Sequence, residues 1–114
     1  MSMTFKTREV GGVTIVDLSG KITLGEGGIT LREEVRKLLA EGKKKIVLNL
    51  AEVNYIDSSG LGELVSAYTA VKNAGGELKL LNLTSKVRDL LVITKLVTVF
   101  DVKDDEAAAV ASFA

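Results

Sequence analysis

The spacing of hydrophobic and polar residues divides the chain into short alternating elements. Residues 13–18 are rich in β-branched side chains and follow Gly11-Gly12, a pair that favours a tight turn. Residues 4–10 precede that turn and are predicted to form the other arm of a hairpin. Residues 46–50 are almost continuously apolar, as expected for a central strand that is covered on both faces.

Helical spacing appears between these strands and after them. Residues 25–28 are rich in glycine, and a first helix is predicted after them, with Gly42 as its C-terminal cap. A second helix is predicted to begin near Ser59 and to end at Gly75-Gly76. The apolar stripes that indicate these two helices are Leu31, Val35, Leu38 and Leu39 in the first, and Leu61, Leu64, Val65, Tyr68 and Val71 in the second.

The last third of the chain continues the alternation. Residues 78–81 indicate a strand, and Thr84-Ser85 can cap a third helix after it. Residues 97–102 indicate a further strand, and residues 104–106 place acids in the first turn of a last helix. The predicted order is ββαβαβαβα. This order predicts an α/β fold with a mainly parallel central sheet, an early hairpin and helices packed against the sheet, in a single domain over residues 1–114.

The composition excludes several classes of site. The chain has 114 residues, 46% of them hydrophobic, with no cysteine and no histidine. Disulfides, thiolate zinc sites and thiol catalysis are therefore excluded, and the commonest general base and metal ligand is missing. We expect no catalytic residue, no metal and no cofactor. No segment resembles a signal peptide or a membrane span, so a cytoplasmic protein without membrane insertion is expected.

The charge balance argues against direct nucleic-acid binding. Fifteen basic and fifteen acidic residues cancel, whereas proteins that bind phosphate backbones carry a basic excess. The few aromatic residues stand singly, unlike a base-stacking platform. The run Lys43-Lys44-Lys45 is interpreted as a solvated helix end that complements the helix dipole.

The segment between the central strand and the second helix carries the candidate chemistry. Its sequence is Asp57-Ser58-Ser59-Gly60-Leu61-Gly62. Because it follows the central strand, it is expected at the carboxyl end of that strand, where α/β sheets bind ligands and partners. Two hydroxyls lie at a helix start, and the two glycines would let another surface approach the backbone. An ordinary N-cap has the same local chemistry. The two interpretations are compatible if Ser59 caps the helix and Ser58 points to solvent.

The same segment resembles the phosphorylation segment of the anti-sigma factor antagonists in the STAS family. The resemblance extends over essentially the whole chain, including Leu18-Ser19-Gly20 before the first helix and the element order. It implies that Ser58 accepts a phosphate and that Asp57, Ser59, Gly60, Leu61 and Gly62 contact a partner. The implied partners are an anti-sigma factor that is a serine kinase and a serine phosphatase. Unphosphorylated protein would bind the anti-sigma factor and free its sigma factor, a partner-switching role in transcription regulation.

The glycine-rich stretch departs from the usual family pattern. Its residues Gly25, Glu26 and Gly27 are predicted to lie near the phosphorylation segment and to contact the partner. The alternative function is a STAS interaction module of a transporter complex or of a partner-switching pathway without a sigma factor. A serine hydrolase lacks its histidine base, and the stretch lacks the Lys-Ser/Thr that completes a phosphate-binding P-loop.

Overall fold

The fold is a five-stranded sheet with helices on both faces. The computed structural model describes residues 3–23 and 26–113, and for residues 26–28 it describes the backbone alone. The element order confirms the predicted α/β topology. The strands are β1 (Met3–Val10), β2 (Val13–Ile22), β3 (Lys45–Ile56), β4 (Glu77–Leu81) and β5 (Asp101–Lys103), and the helices are α1 (Glu26–Ala40), α2 (Ser58–Asn73), α3 (Ser85–Ile93) and α4 (Glu106–Ala111).

The strands lie side by side in chain order, β1-β2-β3-β4-β5. The β1–β2 hairpin is antiparallel, and every other neighbouring pair is parallel. Gly11 and Gly12 both have positive φ, at 57° and 82°, which the tight turn between twisted strands requires. The remaining connections run through helices, as parallel pairs demand.

Each face of the sheet carries its own core. Side chains alternate along a strand, so Val16 and Leu48 join the large core under α1, α2 and α3, while Ile15 and Val47 point to the opposite face. On that second face a smaller core forms beneath α4. Its buried members are Val13, Ile15, Val47, Leu81, Ala109 and Phe113.

The lysine of β4 holds α4 on the second face. Lys79 is almost fully buried, and its Nζ lies 2.9 Å from the Asp101 carboxylate and donates to the Ser112 carbonyl at 3.2 Å. The same ammonium sits 4.7 Å from the centre of the Phe113 ring. These contacts satisfy a buried charge and fasten the end of the chain to β4 and β5.

Strand β3 is longer than predicted, because it extends from Lys45 to Ile56 and the sequence predicts a strand over residues 46–50 only. Leu50, Val53 and Ile56 are all buried in the large core, although they are spaced three residues apart. A regular strand cannot place such residues on one face, since its period is two. Two shifts of register against β2 make this possible, and the pairing continues to its last pair, Ile22↔Ile56.

The strand predicted over residues 97–102 is also wrong in extent. A 3-10 turn occupies Leu96–Thr98, and only Asp101–Lys103 pairs with β4. The apolar residue that drives this packing is Phe100, which is buried and meets the Tyr68 ring edge-on at 5.4 Å. Val97 therefore belongs to the turn and Val99 is exposed, while Val102 lies in β5.

Beyond α4, a polar network crosses the second face of the sheet. Arg8 on β1 binds Asp17 on β2 through its Nε at 2.7 Å and Glu106 on α4 through its Nη2 at 2.6 Å. These hydrogen bonds hold the pKa of both carboxyls below their usual range. Asn49 donates to Asp17 at 2.8 Å and accepts from the amide of Ala51, near the first register shift of β3. The network therefore ties three neighbouring strands together where β3 becomes irregular.

Across the two described ranges, no helix combines the length and the apolar character needed to cross a membrane.

Candidate functional site

The candidate segment lies where β3 ends and α2 begins, beside the end of β2. Ile22 pairs with Ile56, and the Ile22 carbonyl accepts a hydrogen bond from the amide of Asp57 at 3.4 Å. The first turn of α2 is thereby anchored to two central strands. The segment sits at the carboxyl edge of the parallel sheet, as predicted.

Asp57 is the N-cap of α2. Its backbone is extended, with φ −107° and ψ −177°, and its Oδ1 accepts from the Gly60 amide at 2.7 Å. The Asp57 carbonyl accepts the first helical bond, from Leu61, at 2.8 Å. The prediction of Ser59 as the cap is wrong, because Ser59 is already the second residue of the helix.

Both serines are exposed at the start of α2. Ser58 is the first helical residue and Ser59 the second, and the structure shows no hydrogen bond from either hydroxyl to a described residue. The amides of this first turn have no partner in a preceding turn, so the positive end of the helix dipole lies beside the hydroxyls. Asp57 performs the capping, and both serines are exposed residues.

Gly60 and Leu61 are both buried inside the domain. A Cβ built on Gly60 would lie 1.8 Å from the carbonyl oxygen of Ile22. Glycine is therefore required for α2 to pack against β2, and not for the approach of a partner. The Leu61 side chain is 4% exposed within the large core, so it does not lie on a surface that a partner could reach.

Gly62 differs from Gly60 in its surroundings. It is exposed, its φ is not positive, and a Cβ there would meet nothing within 4 Å. Internal packing therefore does not require glycine at this position, although glycine costs helix stability. A close contact from another surface stays the prediction for Gly62.

The predicted contacts in the glycine-rich stretch have different outcomes. Gly25 lies outside the described residues. Helix α1 begins at Glu26, so Glu26 and Gly27 belong to a helix rather than to the predicted connection. Their contact with a partner remains a prediction. Ile22, the last residue of β2, packs against Gly60, and the stretch with Gly25, Glu26 and Gly27 follows Ile22 in the chain.

Sequence reasoning missed an ion pair that joins α1 to α2. Arg32 binds Glu63 with two hydrogen bonds, Nε to Oε1 at 3.1 Å and Nη2 to Oε2 at 2.5 Å, and this raises the pKa of Arg32 above its usual value. Below the pair, a groove of about 350 Å³ separates the two helices. No sequence signal identifies the pair, because residues 31 positions apart meet only through the fold. The groove is also lined by Val35, Arg36, Ser66, Ala67 and Ala70.

The fold and the segment together define a small α/β domain that exposes a serine pair at the start of the helix after its central strand. The family model of the STAS domain matches residues 4–109, and the chain belongs to this family. The anti-sigma-B factor antagonist of Bacillus subtilis is 36% identical over 87 residues, which are 76% of this chain and 78% of that protein.

Solved structures support the same fold. The candidate anti-sigma factor antagonist of Thermotoga maritima matches with a TM-score of 0.87 at 26% identity, covering 96% of this chain and 93% of that one. The anti-sigma factor antagonist SpoIIAA matches in its unphosphorylated form with a TM-score of 0.71 at 17% identity, covering 96% of both chains. The phosphorylated form of Bacillus SpoIIAA matches with a TM-score of 0.70 at 19% identity, covering 92% of this chain and 96% of that one.

Proposed function

We propose that this chain is an anti-sigma factor antagonist switched by phosphorylation of Ser58. In this proposal the unphosphorylated chain binds an anti-sigma factor that is also a serine kinase, and the sigma factor is released. The kinase then modifies Ser58, binding is lost, and a serine phosphatase restores the starting state. The exposed hydroxyl of Ser58, next to a cap supplied by Asp57, is the observation that carries the proposal.

The choice of Ser58 over Ser59 comes from the family resemblance, which assigns the first serine of the pair. Exposure favours neither residue, since both hydroxyls face solvent. The named relatives support the binding role, because the Bacillus subtilis protein is an anti-sigma-B factor antagonist. No residue of the proposal acts as a catalyst; the chain is a substrate of the kinase and the phosphatase.

The electrostatics of α2 support a switch without refolding. A phosphate on Ser58 adds about −1.5 to −2 charges at neutral pH. The helix dipole favours that charge by about 0.3–1 kcal/mol, while the neighbouring Asp57 carboxylate opposes it. These effects nearly balance, so we expect the fold to persist.

At an interface the same phosphate has a much larger effect. An unpaired charge buried between two proteins costs several kcal/mol, and about 3–4 kcal/mol corresponds to a loss of two to three orders of magnitude in affinity. Repulsion at the partner's surface is therefore the proposed switch.

Phosphosite mapping tests the proposal directly. The chain is incubated with ATP and each serine-kinase anti-sigma factor of the source organism, with Ser58→Ala and Ser59→Ala as matched variants. We expect phosphate on Ser58, its loss in Ser58→Ala only, and binding to the same kinase weakened at least 100-fold by Ser58→Asp. Phosphate on Ser59, or equal binding by Ser58→Asp, would contradict the residue assignment. Co-purification with a transporter ATPase instead would favour the alternative module.

A further inference from the structure

The groove between α1 and α2 begins about one helical turn beyond the serine pair, where Glu63 lines it. Its floor is apolar and closed, since Val35 and Ala67 are buried. One wall of the groove is made by α2 through Ser66 and Ala70, whose side chains are short. The opposite wall carries two guanidinium groups from α1. The groove therefore has room for a side chain and an electrostatic preference for its charge.

The two arginines of α1 are not equivalent. Arg32 is neutralised by its two hydrogen bonds to Glu63. Arg36 lies one helical turn further along α1 and forms no ion pair with any residue in the described ranges. The groove therefore presents one uncompensated cation above an apolar floor. A single carboxylate on a short aliphatic stem matches that surface, whereas a polyanion would call for several cations.

The exposed surface between the serine pair and the groove carries no charge. The exposed residues of α2 up to its third turn are Ser58, Ser59, Gly62, Ser66 and Thr69. The carboxylate of Glu63 lines the groove but is already paired with Arg32, so a partner covering this part of α2 meets no unpaired charge of that helix. Uncharged positions alone define no site, but they connect the Ser58 hydroxyl to the groove without an interruption.

The groove lies close enough to Ser58 for a partner bound at Ser58 to contact it. Ser66 follows Ser58 by eight residues, which is about 12 Å along a helix axis, and Ala70 lies about 18 Å away. An interface of ordinary size buries about 800 Å² on each partner, a patch about 30 Å across. A partner centred on the serine pair reaches about 15 Å from that centre, far enough to cover the part of the groove up to Ser66.

We propose that the groove receives an aspartate or glutamate side chain of the anti-sigma factor, which pairs with Arg36. The inference rests on the proposed function and extends its binding surface from the serine pair to the middle of α2 and α1. Ser58 then controls the interface at one end, and Arg36 fixes the partner's orientation at the other.

Charge reversal at Arg36 tests the pairing. Binding of purified anti-sigma factor to unphosphorylated chain is measured by isothermal titration calorimetry for the wild type, Arg36→Glu and Arg36→Gln. We expect Arg36→Glu to weaken binding about 30- to 100-fold and Arg36→Gln about 10-fold, as for other close interfacial charge pairs. The matched control is Lys37→Glu, the same charge change on the next residue of α1, which does not line the groove. It is expected to change affinity less than twofold.

Two further variants separate electrostatics from folding. Ser66→Tyr places a ring at an exposed position in the mouth of the groove, and it should weaken binding at least tenfold without changing net charge. Far-UV circular dichroism and the urea midpoint of each variant establish that it is folded. Reversal of one partner carboxylate to arginine should recover at least tenfold of the affinity that Arg36→Glu loses.

The possible outcomes distinguish this inference from the function on which it rests. If Ser58→Asp abolishes binding while Arg36→Glu and Ser66→Tyr bind like the wild type, the groove inference is overturned and the proposed function stands. If no anti-sigma factor binds the wild type, both are overturned. If the wild type sediments as a dimer that Arg36→Glu dissociates, the occupant is a second copy of this chain and the inference is wrong.

Discussion

Replacement of Gly60 by alanine tests how the first turn of α2 is held. The added Cβ would lie 1.8 Å from the Ile22 carbonyl oxygen and 2.6 Å from its carbon. A carbon–oxygen contact needs about 3.3 Å, so the helix start must move about 1.5 Å away from β2. The carbonyl belongs to the backbone of a central strand and has little freedom to yield.

The expected cost follows from three contributions. Overpacking at a well-packed site costs about 1–3 kcal/mol. The displacement also strains two hydrogen bonds of Asp57, one from its amide to Ile22 and one from the Gly60 amide to its carboxylate, each worth about 0.5–1.5 kcal/mol. Alanine recovers about 1 kcal/mol of helix propensity. We therefore expect Gly60→Ala to lower the free energy of unfolding by about 2–4 kcal/mol.

Gly62→Ala is the matched control, two residues along the same helix. A Cβ at Gly62 meets nothing within 4 Å, so only the helix propensity changes, and we expect a gain of about 0.5–1 kcal/mol. Urea unfolding followed by circular dichroism measures both variants. Equal midpoints for the two alanine variants would refute the packing argument. The stabilised Gly62→Ala variant should nevertheless bind the anti-sigma factor more weakly, since glycine there is predicted to admit the partner.

Further predictions concern the cap and the response to acid. Asp57→Ala should lower the free energy of unfolding by about 1 kcal/mol, whereas Ser59→Ala should change it by less than about 0.5 kcal/mol; a reversed order in urea midpoints would restore Ser59 as the cap. Asp17 and Glu106 have pKa values lowered by Arg8, so their contribution to stability is complete above the ordinary carboxyl pKa near 4 and is lost as the pH falls through the lowered folded values. Urea midpoints should therefore stay constant from about pH 6 to 8, because the chain has no histidine, and should decrease below about pH 4.5. Arg8→Gln should make that decrease smaller. A decrease between pH 6 and 7 would contradict the assignment of the acid response to Asp17 and Glu106.

The element order is predictable because each strand and helix has a recognisable pattern of residues in its own stretch of sequence. The apolar run before Leu50 identifies the central strand, and the glycines after α1 and α2 mark where those helices stop. The continuation of β3 was not predictable from alternation, because two register shifts place Val53 and Ile56 in the core at a spacing of three. A strand prediction that requires hydrophobic residues at every second position cannot recognise a segment with this spacing.

The candidate site shows the same division between local and long-range information. The position of the segment between β3 and α2 is predictable, since its composition and its place after a central strand are local features. The roles within it were not, because aspartate and serine cap helices about equally well and only the backbone conformation of Asp57 selects between them. The reason for Gly60 lies in Ile22, 38 positions earlier in the chain, and the Arg32–Glu63 pair likewise exists only after folding.

The division of labour between Asp57 and Ser58 bears on why a serine at a helix start can be a reversible switch. A serine that capped α2 would accept from a helix amide, and a phosphate on its oxygen would disturb the helix start that depends on it. In this chain the carboxylate of Asp57 performs the capping, so the helix start does not depend on the Ser58 hydroxyl. Under the proposed function, phosphorylation of Ser58 would then change the charge of the surface while the hydrogen bonds of the helix start remain. A fold kept through phosphorylation would return to its binding form once the phosphate is removed, as the proposed cycle between two partners requires.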